Sequence, residues 1–253
     1  MEYLKKLKKY CIIILFTLGV IVFQDYLNKN VSSLARHLYP YFSGIDPDNA
    51  FAFLFLHHFI QAVVYLLLIL LAAKVFRFKI RDFGFNLKEY RKSIKYTLIF
   101  AAVWAVIQFG TGLVFVLNGQ PVSWNFRTNT RNFTGYFLFE VLFSGTSEEL
   151  FFRGLVITLI LIMLKNSSKT RKESNIFALV SATLIFMAAH IGFTLMPFRV
   201  TYINWLQQGT AMIFGVFYGV LLLRTKSLLG PILAHNLLNG VITLSGMLLY
   251  FIF

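Results

Sequence analysis

The chain alternates long hydrophobic blocks with short segments that carry its charges. Seven blocks can be marked along the 253 residues, at about 10–26, 50–73, 96–117, 133–164, 175–193, 204–223 and 228–253. Blocks of this length match the ~20 residues that a helix needs to cross a ~30 Å hydrocarbon core. The ten-residue alternation of membrane-spanning strands is not evident. The pattern therefore predicts an all-α, polytopic transmembrane helical bundle.

The composition agrees with this prediction. Hydrophobic residues make up 58% of the chain and charged residues 13%, against roughly 45–50% and ~25% in soluble domains. The net charge of +14 comes from basic clusters between the blocks, which is typical of cytoplasmic loops rather than of a nucleic-acid surface. We therefore expect the lipid bilayer, and no nucleic acid, as a partner. The single cysteine, Cys11, excludes disulfide frameworks and cysteine metal sites.

The basic clusters also predict the orientation of the chain in the cell membrane. They lie before the first block, in 74–95 and in 165–174, and the segments between them hold few basic residues. The positive-inside rule places these clusters, and with them the N-terminus, in the cytoplasm. Seven crossings then place the C-terminus outside. The aromatic residues among the cations of 74–95 are typical of a segment that lies at the lipid interface.

The first block is interpreted as an uncleaved span. A basic segment precedes it, and no small-residue cleavage pattern follows it. The basic residues are Lys5, Lys6, Lys8 and Lys9.

The block 133–164 is longer than a simple span needs. Its 32 residues would form a helix of about 48 Å at ~1.5 Å per residue. The helix is therefore expected to be tilted, or broken near 144–147, and a break would raise the helix count from seven to eight. We divide the chain into N-terminal helices with a basic interfacial loop, 1–132, and a C-terminal transmembrane core, 133–253.

Three ionisable residues lie within six positions of this long block: Glu148, Glu149 and Arg153. An ionisable side chain at membrane depth costs at least ~2.5 kcal/mol on insertion scales, so a functional site is the default interpretation. Glu149 and Arg153 are four positions apart and can form a buried ion pair on one helix face. Glu148 points about 100° away from that face and is free to face a cavity.

Two further pairs have the same four-residue spacing in later blocks. Phe186 and His190 form one pair, and His235 and Asn239 form the other, so each pair is expected to share a helix face. Counted from the cytoplasmic ends of their blocks at ~1.5 Å per residue, Glu148, the two histidines and Asn239 lie about 11 to 24 Å deep. A single cluster at mid-membrane depth is therefore geometrically possible.

These residue types suit the hydrolysis of a peptide bond. Glu148 can take a proton from water and return it to the leaving amine, while neutral His190 orients that water. His235 and Asn239 offer N–H donors to the developing oxyanion. The alternative is a zinc site with Glu148, His190 and His235 as ligands. The route without a cofactor is favoured because no carboxylate partner for either histidine is evident.

The three motifs resemble those of a known family. Glu148-Glu149-x-x-x-Arg153, Phe186-x-x-x-His190 and His235-x-x-x-Asn239 follow one another on successive hydrophobic segments. They look like the motifs of the CaaX protease and bacteriocin-processing family (CPBP, also called Abi) of intramembrane endopeptidases. The resemblance covers 133–253.

The resemblance carries expectations about fold, site and metal. It implies an eight-helix bundle with a hydrophilic cavity inside the membrane. It also implies that Glu148 and His190 activate water and that His235 and Asn239 stabilise the oxyanion. The remaining motif residues, Glu149, Arg153 and Phe186, support the site. Members are often labelled metalloproteases, and a glutamate mechanism without metal has also been argued for them.

Other polar residues and other protease classes fit less well. Glu140, two turns before Glu148, is expected near the same cavity, whereas His57 and His58 are expected to pack in the outer half of the second block. The chain lacks the His-Glu-x-x-His of zinc site-2 proteases and the Gly-x-Gly-Asp of aspartyl ones. A rhomboid Gly-x-Ser-Gly would require a further glycine before Ser144.

The leading hypothesis is an intramembrane endopeptidase that acts on a short or membrane-associated peptide. The resemblance implies CaaX-tail cleavage in eukaryotic relatives, and peptide pheromone or bacteriocin processing, or self-immunity, in bacteria. Two alternatives are a proton-coupled transporter and a non-catalytic immunity protein. No inverted repeat supports a transporter, and a non-catalytic scaffold would not need four chemically competent residues at the site.

Overall fold

Seven helices, one for each hydrophobic block, form the described part of the chain. The structure is a computed structural model that describes residues 2–165 and 170–253, with side chains from residue 10 onward. The lysines before residue 10 are therefore seen only as backbone, and Lys169 lies outside the described residues. The helices are α1 (Glu2–Leu38), α2 (Ala52–Phe76), α3 (Tyr90–Leu117), α4 (130–164), α5 (Arg171–Ala188), α6 (Trp205–Thr225) and α7 (Leu229–Ile252).

The all-α, polytopic prediction is confirmed by this architecture. Within the described ranges, five helices are long and apolar enough to cross a membrane: α1, α2, α3, α6 and α7. Of the other two, α4 carries Glu148, Glu149 and Arg153, and His190 lies just beyond the end of α5. The chain is a multi-pass membrane protein, and an eighth helix is not found among the residues that the structure describes.

Helix α4 is continuous and crosses the bundle once. Five helical segments follow one another directly, and the backbone at each junction is right-handed helical. Two of the segments are π-helical, a wider form that often occurs at functional sites. The break near 144–147 is therefore absent. The segments are Thr130–Phe139 (α), Glu140–Ser144 (π), Gly145–Glu149 (α), Leu150–Ile157 (π) and Thr158–Leu164 (α).

Helix α4 lies at the centre of the bundle. Every residue of its second π-segment, Leu150–Ile157, is buried. Helix α4 packs against α2, α5, α6 and α7, while α3 packs along α7 and α5 packs along α6. A Cβ atom at Gly219 of α6 would lie 2.3 Å from Cδ1 of Leu179 in α5, so this glycine permits the close contact of the two helices.

Helix α1 is longer than its hydrophobic block. It continues to Leu38, about twelve residues beyond the end of the hydrophobic block 10–26. Asp25 and Lys29 form an ion pair at 2.7 Å within the helix, and Gln61 of α2 donates to Asn28 at 3.3 Å. Side-chain contacts of this kind add to the stability of the helix beyond its hydrophobic block.

A β-hairpin that the sequence did not predict connects α5 and α6. Its antiparallel strands are β1 (Gly192–Leu195) and β2 (Phe198–Tyr202). Strands of four and five residues carry little periodic signal, which explains why they were missed. Helix α5 consequently ends before residue 190, and the hairpin begins just after it.

The loop between α2 and α3 is folded against the bundle. Phe83, in the 3₁₀ turn Ile80–Phe83, is completely buried against the bundle. The backbone N–H of Leu228 donates to the carbonyl of Gly84 at 2.9 Å. Gly84 has φ of +93°, and a Cβ atom there would lie 2.9 Å from Cγ of Leu228. Both observations require glycine at this position.

Candidate active site

The four residues that the sequence singled out for catalysis line one cavity. Its volume is about 220 Å³, and its wall includes Glu148 from α4, His190 after α5, and His235 and Asn239 from α7. Helices far apart in the sequence thus deliver these side chains to one place. Glu140 also lines this cavity, as expected. The other wall residues are Tyr136, Phe186, Gln207, Thr210, Ala211, Phe214, Ile242 and Thr243.

The ion pair predicted beside this cavity is present and completely buried. Nη1 of Arg153 donates to Oε1 of Glu149 at 2.9 Å, and both side chains are 0% exposed. Nη2 of Arg153 donates to the backbone carbonyl of Gly215 at 3.2 Å. The guanidinium lies 4.5 Å from the ring centroid of Phe186 and 5.1 Å from that of Tyr218. Such partners compensate for the removal of the charge from water.

Glu149 also holds His235. Nδ1 of His235 lies 2.8 Å from Oε1 of Glu149. A carboxylate paired with arginine accepts hydrogen bonds, so Nδ1 carries the proton and donates it. The imidazole stacks on Tyr218 with the ring centroids 4.9 Å apart and the planes at 20°. These contacts fix the ring, and Nε2 lies 3.9 Å from Oε2 of Glu148.

The contact between Glu149 and His235 corrects the expectation that neither histidine has a carboxylate partner. The two residues are 86 positions apart, and no local spacing connects them. The preference for a metal-free route therefore loses the reason on which it rested. Among the described residues, however, no group of three His, Cys, Asp or Glu side chains is arranged to hold a metal ion. Glu148, His190 and His235 thus do not form a ligand set in this arrangement.

His190 lies in the turn just beyond α5, rather than on the helix itself. Its Nδ1 lies 2.8 Å from the carbonyl oxygen of Phe186. A carbonyl oxygen only accepts, so Nδ1 carries the proton and Nε2 of the neutral ring is an acceptor. Nε2 of Gln208 in α6 donates to the carbonyl of His190 at 3.3 Å. The hydrogen bond between His190 and Phe186 is therefore made to the backbone carbonyl of Phe186. The ring centroids of the two residues are 4.8 Å apart.

Asn239 is anchored to α4 at the cavity. Its Nδ2 donates to Oγ of Ser144 at 2.9 Å, and that hydroxyl donates to the carbonyl of Glu140 at 2.8 Å. The side-chain amide has two N–H groups, and this contact uses one of them. The side chain of Asn239 also forms a hydrogen bond with the carboxyl group of Glu140, which lines the same cavity.

Asn236 is a site residue that the sequence analysis missed. Its Oδ1 accepts from the backbone N–H of Gly145 at 2.8 Å, and its Nδ2 donates to the carbonyl of Leu142 at 3.2 Å. The amide thus satisfies backbone groups in and next to the first π-segment. A Cβ atom at Gly145 would lie 2.4 Å from Cβ of His235, so glycine is needed for this approach. Two features of the sequence could have indicated this contact: Gly145 within a long hydrophobic block, and the amide residue Asn236 directly after His235.

Helix α2 also contacts α4, through hydrogen bonds to Ser147. Oγ of Ser147 donates to Oε1 of Gln61 at 2.8 Å, and Nδ1 of His58 lies 2.8 Å from the same hydroxyl. The ring of His58 packs 4.9 Å from that of Phe139. His57 and His58 are not among the residues that line the cavity. Their contacts agree with the expectation that they pack between helices.

Fold and cavity together define a polytopic helical membrane protein with a half-buried Glu–His–Asn site. Residues 130–241 match the family described as Rce1-like, type II CAAX prenyl endopeptidase Rce1-like. The matched region contains all three motifs, and it confirms the resemblance to the CPBP family on the residues that carry it. This is a family of CAAX-type intramembrane proteases, which supports an intramembrane peptidase with a peptide substrate. Comparisons with curated proteins and with solved structures gave no match.

Proposed function

We propose that this protein is an intramembrane endopeptidase that hydrolyses a peptide bond in a short or membrane-associated peptide. The observation that carries the proposal is the convergence of Glu148, His190, His235 and Asn239 on one cavity among apolar helices. Processing of peptide pheromones or bacteriocins, or self-immunity against them, is the proposed physiological class. The cytoplasmic N-terminus expected from the basic clusters is part of the same proposal.

Glu148 is the proposed general base. It accepts a proton from a water molecule in the cavity, the resulting hydroxide attacks the scissile carbonyl carbon, and the carboxylic acid then returns the proton to the leaving amine. Nε2 of His190 accepts the second hydrogen bond of that water, because Nδ1 is bound to the carbonyl of Phe186. His190 can accept from the water only through Nε2, and Glu148 accepts the proton through its carboxylate, which lines the cavity.

Asn239 and His235 are the proposed donors to the oxyanion. Asn239 keeps one N–H group on Ser144, and the other turns from Glu140 to the oxyanion when substrate binds. His235 donates from Nε2 only as an imidazolium, since its Nδ1 proton is bound to Glu149. Glu149 therefore stabilises the positively charged imidazolium of His235, which donates to the oxyanion. Arg153 balances the negative charge of Glu149 when the ring of His235 is neutral.

A metal-free route is proposed on the arrangement of the donors. Glu148, His190 and His235 are not grouped as a ligand set among the described residues. One observation favours the zinc alternative: the Glu149–His235 contact resembles the carboxylate–histidine pairs that orient metal ligands. The two routes differ in their dependence on metal, which is measurable.

The protease proposal is tested by Glu148→Gln. Peptides from cells that express the wild type and cells that express the variant are compared by mass spectrometry. Membrane insertion is checked by membrane fractionation, and folding by size-exclusion chromatography of the purified protein. We expect cleavage to fall by roughly 10²–10⁴-fold, because glutamine cannot transfer the proton. Glu89→Gln, at an exposed carboxylate outside the cavity, is the matched control and should cleave normally.

Full cleavage by Glu148→Gln would overturn the proposal. If Glu148→Gln loses cleavage but still protects the cell against a bacteriocin, the immunity does not depend on catalysis, as the non-catalytic alternative states.

A further inference from the structure

A second polar cavity lies at the end of the bundle where α2 and α6 end and α7 begins. Its volume is about 420 Å³, and three cationic side chains line it: Arg81, Lys88 and Lys226. Asp82 is the carboxylate in its wall, and Oδ2 of Asp82 accepts from the backbone N–H of Lys79 at 3.0 Å. The formal charge of the wall is therefore positive. None of these residues belongs to the proposed active site.

The cavity is a constructed part of the fold rather than a gap beside a loose loop. Nδ2 of Asn86 donates to the carbonyl of Lys226 at 2.7 Å. The hydroxyl of Ser227 donates to the carbonyl of Asn86, and the N–H of Leu228 donates to the carbonyl of Gly84. These bonds join the loop after α2 to the turn between α6 and α7. The cationic side chains are thus held on two linked backbone segments.

The opposite wall of the cavity is apolar. Ile157 and Leu161 of α4 and Leu223 of α6 contribute to it, and the last two are half-buried. A cationic rim next to an apolar wall at the end of membrane-spanning helices matches a phosphate ester that carries hydrocarbon chains. A free phosphate ion would use the cations alone and would leave the apolar wall in contact with water.

We propose that this cavity binds the headgroup of an anionic phospholipid. The phosphate lies among Arg81, Lys88 and Lys226, and the acyl chains run along Leu161 and Leu223. Burial, followed by the charge of Arg171, lowers the pKa of Lys226. A bound anion relieves this crowding of positive charge.

The bound lipid also reaches the helix that carries the active site. Ile157, in the cavity wall, is the last residue of the π-segment that begins directly after Glu149. An occupied cavity therefore stabilises α4 and is expected to raise the melting temperature of the protein.

The test uses the full chain purified in detergent and titrated with phosphatidylglycerol. Thermal unfolding and native mass spectrometry measure the shift in melting temperature and the lipid affinity. At roughly fivefold per cation, the triple variant Arg81→Gln, Lys88→Gln, Lys226→Gln should bind on the order of a hundredfold more weakly. The matched control removes two lysines and one arginine outside the cavity wall: Lys74→Gln, Arg77→Gln, Lys95→Gln.

Two outcomes would overturn the proposal. Equal losses in the two triple variants would mean diffuse attraction to the basic loop instead of a site. An equal shift with inorganic phosphate or glycerol phosphate in place of the lipid would mean an anion site that does not recognise lipid. If the triple variant fails to fold, Lys88→Gln is compared with Lys95→Gln, and a difference of less than twofold counts against the site.

Discussion

Nδ1 of His235 lies 2.8 Å from Oε1 of Glu149, and this contact joins the buried ion pair of α4 to the cavity. The same oxygen accepts from Nη1 of Arg153 at 2.9 Å. One carboxylate oxygen thus serves a structural cation and a cavity-lining imidazole at once. A change to either residue of the ion pair is therefore expected to affect both stability and activity.

Arg153→Ala is expected to destabilise the protein by about 3–5 kcal/mol, because it leaves Glu149 buried without its cation. Lys29→Ala is the matched control, since Asp25 and Lys29 form an ion pair with the same spacing on the exposed part of α1. That control should cost no more than ~0.5 kcal/mol. Unfolding in detergent is the measurement. Equal effects of the two substitutions would contradict the role assigned to the buried pair.

Gly145→Ala is expected to separate α4 from α7 and to impair catalysis. The added methyl group would lie 2.4 Å from Cβ of His235 and 2.8 Å from Oδ1 of Asn236. Overpacking of this kind costs about 1–3 kcal/mol. Gly110→Ala, where nothing lies within 4 Å of the added methyl group, is the control and should be neutral or stabilising by up to ~1 kcal/mol. Melting temperature and cleavage rate are measured for both variants, and wild-type values for Gly145→Ala would show that the helices are not in close contact.

Removal of metal is expected to leave cleavage unchanged, because the proposed route uses only side chains and water. Elemental analysis of purified protein, followed by an assay after treatment with a chelator, measures this. Activity that is lost with the chelator and restored by zinc would establish the alternative. His190→Ala and His235→Ala should then also reduce the zinc content of the protein.

The contacts that join the loop between α1 and α2 to the start of α4 are expected to weaken at low pH. Hydrogen bonds from Asn132 (2.8 Å) and Arg131 (2.7 Å), together with the charge of Arg131, hold the pKa of Asp48 below its ordinary 3.8. A lowered folded-state pKa gives stability that is present above the unfolded value and is lost as the pH falls through the folded value. Melting temperature should therefore drop below about pH 4. Asp48→Asn should show a smaller drop, and an identical pH dependence would contradict this role.

Some of the site could be predicted from the sequence because its geometry is local. Residues four apart on a helix share a face, so the pair of Glu149 and Arg153 follows from spacing alone. The partners of His235 do not follow from spacing, because they depend on how α7 is rotated against α4. Asn236 was missed for the same reason, since its contacts with Leu142 and Gly145 exist only across that interface.

The sequence alone was enough to predict the membrane class, the positions of the hydrophobic blocks, and the ionisable residues within them that indicate a functional site. Hydropathy and the cost of a buried charge act segment by segment, so they can be evaluated along the chain. Three features required the tertiary structure: the continuity of α4, the contact between Glu149 and His235, and the closure of a cationic cavity at Lys226 by a loop. These features depend on helix register, rotation and close approach, which the packing of all the helices determines together.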